Sequence, residues 1–415
     1  MVNILIPEYF GQQVVSGIRS LASQGDACDL AWKIPKLFPI YKSRFIRNTH
    51  QITPSNVDDR KYIEDIKHIC LENHYDLALP FGNDSYYAFV KHGEELKGLV
   101  NFLVPGAEAF SIAHDKSKTT AFCNSIGIQV PQTYEIADDS DLEHIANQVR
   151  FPVVIKAKSG TGVNFGLRYA NNKEEFRQKY YEIASQQSAT DSTNYTPFVQ
   201  EYIPGFIHDA CTLTVNGEVT TILTQVRRVM YPIYGGVGAI NYTTHDPKLT
   251  ELAQKLLEAL QWNGPAQIEF KYDPRDRTYK LIEINPKLWG TMALSIKAGV
   301  SFPRLIRDVL LGKKVTRQPY PANVQYIFLF PQAASAYLQI RKLVGIKDWK
   351  PKHPFAKTYF DFELSDPMPD IFRFFYTMSR IIRKKMVDVN ANIDPELLSL
   401  PGNADEYLFM HDSAS

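Results

Sequence analysis

The sequence predicts an α/β and α+β protein: an open parallel α/β sheet at the N-terminus, a hairpin-rich region behind it, and a C-terminal extension. Three observations predict this. Strands and helices alternate over residues 1–113, the pattern of a parallel sheet. Strand pairs joined by short turns follow, at Gly217 and at Asp273–Asp276. From residue 314 the pattern changes to an apolar strand, a Pro-rich turn and a basic amphipathic helix. The expected boundaries are therefore 1–113, 114–313 and 314–415.

In the first region Val2–Ile6 reads as a buried strand, Val14–Leu21 as a helix and Ala27–Trp32 as a strand. Tyr62–Asn73 has helical spacing through Ile63, Ile66, Ile69 and Cys70, then Asp76–Pro80 is a strand. Ser85–Leu96 reads as helix and Val100–Val104 as strand. Ligands of such sheets sit at the carboxyl ends of strands, here the loops Pro7–Gly11 and Phe81–Ser85. Neither loop holds G-x-G-x-x-G, which argues against a nicotinamide or flavin. Asn83 and Asp84 are either helix caps or substrate contacts.

In the second region a helix follows His114-Asp115-Lys116, and Gly127 and Pro131 stop it. FPVVIKA, residues 151–157, is a strand that carries Lys156, followed by a loop with Gly160, Gly162 and Gly166. Glycine amides beside a lysine can cradle a phosphate, although a plain turn has the same composition and the loop is not a Walker A motif. A helix over Lys173–Ala184 leads into a polar surface stretch. Phe198–Ile203 is a strand that turns sharply at Pro204-Gly205, leaving backbone groups suited to a purine edge. His208 and Asp209 lead into Ala210–Val215, which pairs with Val219–Val226. Of Arg227 and Arg228, adjacent on a strand, at most one reaches a site on a given face. Tyr234–Gly238 is a flexible loop, Leu249–Leu260 an amphipathic helix, and Phe302–Leu311 a further helix.

The hairpin Gln267–Gly290 carries the chemistry. Folded about its turn, it puts Glu269 opposite Glu283 and Gln267 opposite Asn285, with Ile268, Phe270, Ile282 and Ile284 toward the core. Facing carboxylates repel. A hard divalent cation shared with nucleotide phosphates offsets that. The alternative is an exposed face with incidental charges.

The order of DKSKT at Asp115, FPVVIKAKSGTGVNFGL, VQEYIPG, QIEF and IEINPKLWG resembles the ATP-grasp superfamily over residues 114–313, nearest its carboxylate–amine ligase and carbamoyl-phosphate-synthase-like branches. The first region resembles the domain that usually precedes it. The resemblance implies two α+β subdomains with ATP between them, the lid subdomain spanning about 118–197. It implies that Lys116 and Lys156 contact phosphates, that Gly160–Gly166 closes over them, and that Glu201, Tyr202 and Ile203 form the adenine hinge. It implies Mg²⁺, or Mn²⁺ in its place, on Glu269, Glu283 and Asn285. Two departures stand out. Lys287 occupies a position where Arg is usual, and FIHD replaces a ribose-binding Glu, leaving Asp209 as the candidate. The implied activity makes an acyl phosphate from a carboxylate and passes it to an amine, with Lys116, Lys156, Arg228 and Lys287 as cationic clamps. A bicarbonate-using enzyme and a non-catalytic nucleotide-binding protein at a membrane surface are the competing readings.

Composition bounds the rest. Lys+Arg 46 against Asp+Glu 45 gives no whole-molecule case for nucleic acid. Four cysteines without metal spacing suit a reducing cytoplasm, and neither a signal peptide nor an 18-residue apolar run is seen. In the extension, Tyr326–Val344 reads as strand then helix, and a strand precedes the Pro-rich turn. Residues 371–386 pair apolar positions 371, 374, 375, 378 and 382 with five basic residues. Such a helix can lie on an anionic membrane, but packing on the core is the favoured reading. The oligomeric state stays open, with a homodimer compatible.

Overall fold

The computed structural model describes residues 1–8, 11–32, 42–157, 167–187, 197–231, 236–335 and 357–382. Three sheets organise them. The first holds β1 (Asn3–Ile6), β2 (Ala27–Ala31), β3 (Ile46–His50) and β4 (Leu77–Ala78), all parallel in the order β3-β2-β1-β4. Ile4, Leu5 and Ile6 are fully buried, as a strand covered on both faces requires. Helix Asp59–Glu72 starts where Asp58 accepts the Lys61 N–H. The strand expected at Val100–Val104 is a single bridge between Leu77 and Asn101. Strand β3 was not foreseen, because three of its five residues are exposed and polar, so its sequence lacks an apolar run.

The second sheet holds β5 (Thr133–Glu135), β6 (Val153–Ala157), β7 (Leu167–Ala170) and β8 (Pro197–Glu201), antiparallel in the order β5-β8-β6-β7. Ile145 of helix Asp139–Gln148 and Phe176 of helix Lys173–Gln187 close its core with Val153, Ile155 and Val199. Burying side chains of this kind stabilises by roughly 1.5–3 kcal/mol each.

The third sheet holds β9 (Ile207–Val215), β10 (Glu218–Tyr231), β11 (Val237–Thr244), β12 (Gly264–Asp273), β13 (Thr278–Asn285), β14 (Val324–Ile327) and β15 (Lys357–Phe360). Their order is β13-β12-β9-β10-β11-β14-β15. Ala210, Ile222, Ile268, Phe270 and Ile284 face helix Pro247–Ala259 through its Leu249, Ala253, Leu256 and Leu257. Cys211, Leu213 and Leu223, on the other face, join Ile4, Ile6, Val14, Trp289 and Met292 in the core shared with the first sheet. His208 and Asp209 lie inside β9, and Val237 and Gly238 begin β11, where a loop was expected.

The β12–β13 register pairs Glu269 with Glu283 and Gln267 with Asn285, as the sequence predicts, but Phe270 then pairs with Leu281. This bulge changes one core assignment. Leu281 is 2% exposed, while Ile282 is only half-buried.

The extension is tied to helix Gln12–Ala22. The Arg19 guanidinium bonds Asp366 and Asp370, each at 2.9 Å, and both acids are buried. Arg373 bonds Asp361 at 2.8 Å. Helix Met368–Ile382 does not bury its expected stripe: Phe374 is 45% and Phe375 64% exposed, while Thr377 is buried. Ion pairs at the helix's start, not its apolar periodicity, set which side faces inward. Residues 383–386 of the basic run, and the helix expected up to Val344, lie outside the described residues. No described helix is long and apolar enough to cross a membrane.

Candidate active site

The polar face of the third sheet gathers Asp209, Glu269, Glu283 and Asn285, with Lys116, Lys156 and Lys287 around it. Glu269 and Glu283 face each other on β12 and β13, with Asn285 one pair further along. The Asn285 Nδ2 donates to Glu269 Oε1 at 2.9 Å, so its Oδ1 is the end left to accept a cation. Two carboxylates and one amide oxygen are hard donors, and Mg²⁺ takes its remaining ligands from phosphates and water. Among the described residues no three His, Cys, Asp or Glu side chains form a metal cluster. The donor set thus fits a shared Mg²⁺ and not an all-protein cage.

Two acids side by side need a fixed cation as well. Arg227 bonds Glu269, and it also bonds Asp209 at 2.7 and 3.0 Å. Burial alone would lower the Arg227 pKa, but Asp209 and Glu269 outweigh it and raise the value. Asp209 is fully buried, and burial raises its pKa to about 6 against the pull of Arg227. Gln225 donates to Asp209 at 2.8 Å and to Thr291 at 2.6 Å.

Arg228, expected as a cationic clamp, is buried at the bulge between Arg227 and Val229. Arg227 is the residue that bonds Glu269, because Gln225 and Arg227 stay in regular register with β9 and strict alternation puts both on the side of Asp209. Asp209, expected at the ribose, pairs in register with Glu269 and has both oxygens taken by Arg227 and Gln225.

Lysines ring this face. Lys156 Nζ donates to Gln200 on β8 at 2.6 Å. Its pKa is pushed down to about 7, first by burial and then by Lys116, against Glu283 and Glu269. Lys116 opens helix Lys116–Ser125, whose first turn is capped by Asp115. Burial lowers Lys287 too, against Glu283, Glu269, Glu8 and Asp84. Lys287 thus links Glu8 and Asp84, in the loops after β1 and β4, to the carboxylates. Glu8 is held by the Gly82 N–H at 2.8 Å and the Ser85 hydroxyl at 2.7 Å.

The hinge Glu201–Ile203 runs from β8 toward β9. The Glu201 carboxylate points away to Arg275 at 2.7 Å and Lys280 at 3.1 Å, and its main-chain N–H donates to Gln132 O at 2.8 Å. Gly205 lets the chain turn, since a Cβ there would lie 1.6 Å from the Tyr272 carbonyl oxygen. Ile203 O accepts from Lys271 Nζ at 2.8 Å, and that ammonium sits 5.2 Å from the centroid of the Tyr202 ring. Lys271 was not foreseen as a site residue, yet its spacing of two from Glu269 on a regular strand puts both on one face. Gly160, Gly162 and Gly166 lie outside the described residues.

Residues 198–328 match the family model described as "ATP-grasp in the biosynthetic pathway with Ter operon". Residues 115–224 match "Carbamoyl-phosphate synthase L chain, ATP binding domain". The chain belongs to the ATP-grasp superfamily. Biotin carboxylase 1 of Bacillus subtilis is 25% identical over 197 residues, 46% of this chain and 43% of that one. The chain thus aligns with less than half the length of that relative. The D-aspartate ligase of Enterococcus faecium is 21% identical over 72% of this chain and 74% of its own. The fold of this ATP-grasp chain matches the Campylobacter jejuni biotin carboxylase at a TM-score of 0.63, with 18% identity, covering 78% of this chain and 74% of the other.

Proposed function

We propose that the protein is an ATP-dependent ligase that activates a carboxylate as an acyl phosphate and joins it to an amine. The observation that carries this reading is the facing pair Glu269 and Glu283, with Asn285 beside it and Lys156 and Lys287 near enough to be perturbed by both acids. The family matches and the alignment with a named D-aspartate ligase support it.

In this reading the nucleotide lies between the second and third sheets, its base on Glu201–Ile203 and its phosphates toward Lys116 and Lys156. Glu269, Glu283 and Asn285 would hold Mg²⁺, which neutralises phosphate charge when bound. The substrate carboxylate oxygen attacks the γ-phosphorus, and the bond to the ADP oxygen breaks. The amine nitrogen then attacks the acyl carbon, the bond to the phosphate oxygen breaks, and the nitrogen gives up a proton. The products are an amide, ADP and phosphate. Lys156 and Lys287 offset the charge that builds on the transferred group, and Arg227 keeps Glu269 in place. Bicarbonate in place of the organic acid is a second reading, favoured by the likeness to biotin carboxylases.

Phosphate release over a panel of acid and amine pairs tests the proposal. Release that needs both partners is expected. Release with bicarbonate alone favours the second reading, and no stimulation by any pair rejects the ligase.

A further inference from the structure

We propose that Lys271 is a purine-binding residue, its ammonium donating to a ring nitrogen of the base seated on the hinge; this rests on the nucleotide site proposed above. On β12 the register with β9 is regular through Glu269 and Lys271, so both side chains leave the same face of the sheet. The Lys271 side chain runs to the hinge, where it bonds Ile203 O at 2.8 Å and lies over the Tyr202 ring.

An ammonium has three N–H donors. Among the described residues the hydrogen bond of Lys271 goes to one neutral carbonyl. Asp273, two residues further along β12, is taken up by Arg275 and Lys280. Lys271 is half-buried as a whole residue. A half-buried cation with donors to spare beside two backbone turns needs acceptors, and a purine supplies them. With N1 and the exocyclic group on the hinge main chain, N3 and N7 are the acceptors left. An apolar side chain at this position could only stack.

The test is calorimetric titration of the whole protein with MgADP, 7-deaza-ADP and 3-deaza-ADP, for wild type and Lys271→Met. A hydrogen bond from a charged donor is worth about tenfold or more in affinity. In wild type one deaza analogue should bind about tenfold more weakly than MgADP. In Lys271→Met all three should bind alike, about as weakly as that analogue. A lysine that only braces the hinge gives equal affinities in wild type, or a uniform loss in the variant, and either result overturns the proposal. Equal affinities in wild type overturn the proposal even if the variant does not fold, since they rule out a bond to either ring nitrogen. Failure of wild type to bind MgADP at all would instead reject the nucleotide reading, and this one with it.

Discussion

Arg227 and Glu269 are bonded across two strands, one carrying a fixed guanidinium and the other half of the facing acid pair. The bond gives Glu269 one orientation before any nucleotide arrives. Asp209 secures the other side of the guanidinium at 2.7 and 3.0 Å, so Arg227 itself cannot swing. Lysine at 227 would keep the charge and lose the two-pronged grip. Residues that orient a metal carboxylate typically cost 10–100-fold in metal affinity when changed. Arg227→Lys should therefore bind MgADP roughly tenfold more weakly by calorimetry. Unchanged affinity would show that Glu269 needs no such support.

Glu283 has the opposite character. It is half-buried, and among the described residues no fixed cation bonds it as Arg227 bonds Glu269. Glu283→Ala should abolish ADP release. It should also leave the thermal midpoint unchanged or slightly higher, because it removes a like-charge pair that costs under about 1 kcal/mol. A variant that keeps turnover refutes the metal assignment, and one that melts early would mean Glu283 is structural.

Asp273 locks the hairpin turn. It takes the Arg275 guanidinium at 2.8 Å and Lys280 at 3.1 Å, and both cations continue to Glu201 at the hinge. Burial would raise its carboxyl pKa, but Arg275 and Lys280 hold it down at about 2, from 3.8. A depressed carboxyl contributes stability above its unfolded pKa, and that stability is lost as pH falls through the folded value. The shift corresponds to about 2 kcal/mol. Wild type should lose that amount relative to Asp273→Asn between about pH 4 and pH 2. Parallel stability curves for the two proteins over that range would reject the assignment.

The hairpin was legible because two physical rules act on it alone: side chains alternate along a strand, and a short turn fixes the register. The same rules failed at the bulge. At Ile282 one extra residue shifts the alternation, and no pattern of apolar residues announces it. Lys271 was legible by spacing alone, two positions from Glu269 on a regular strand. The parallel strands β1 and β2 were visible as apolar runs, whereas β3 and β5 were not, since short exposed strands owe their pairing to neighbours far along the chain. The family motifs added order and roles that spacing could not supply, and they were weakest at Asp209, where this chain departs from them.

The ion pairs of Arg19 carry the last prediction. Asp366 and Asp370 precede and open helix Met368–Ile382, and both accept from one guanidinium on helix Gln12–Ala22. Ser43 and the Arg44 N–H also bond Asp366, at 2.8 and 3.0 Å. Removing one partner of a buried pair costs about 3–5 kcal/mol, because the other charge stays buried. The exposed Phe374 and Phe375 show that apolar contact does little of the holding. Arg19→Met should therefore loosen the extension before it unfolds the rest. Hydrogen exchange should speed up within Met368–Ile382, while Ile4–Ile6 of β1 keeps its protection. Equal loss in both places would mean the extension and the first sheet unfold as one unit, and no loss in either would mean that Ser43 and Arg44 suffice to hold Asp366.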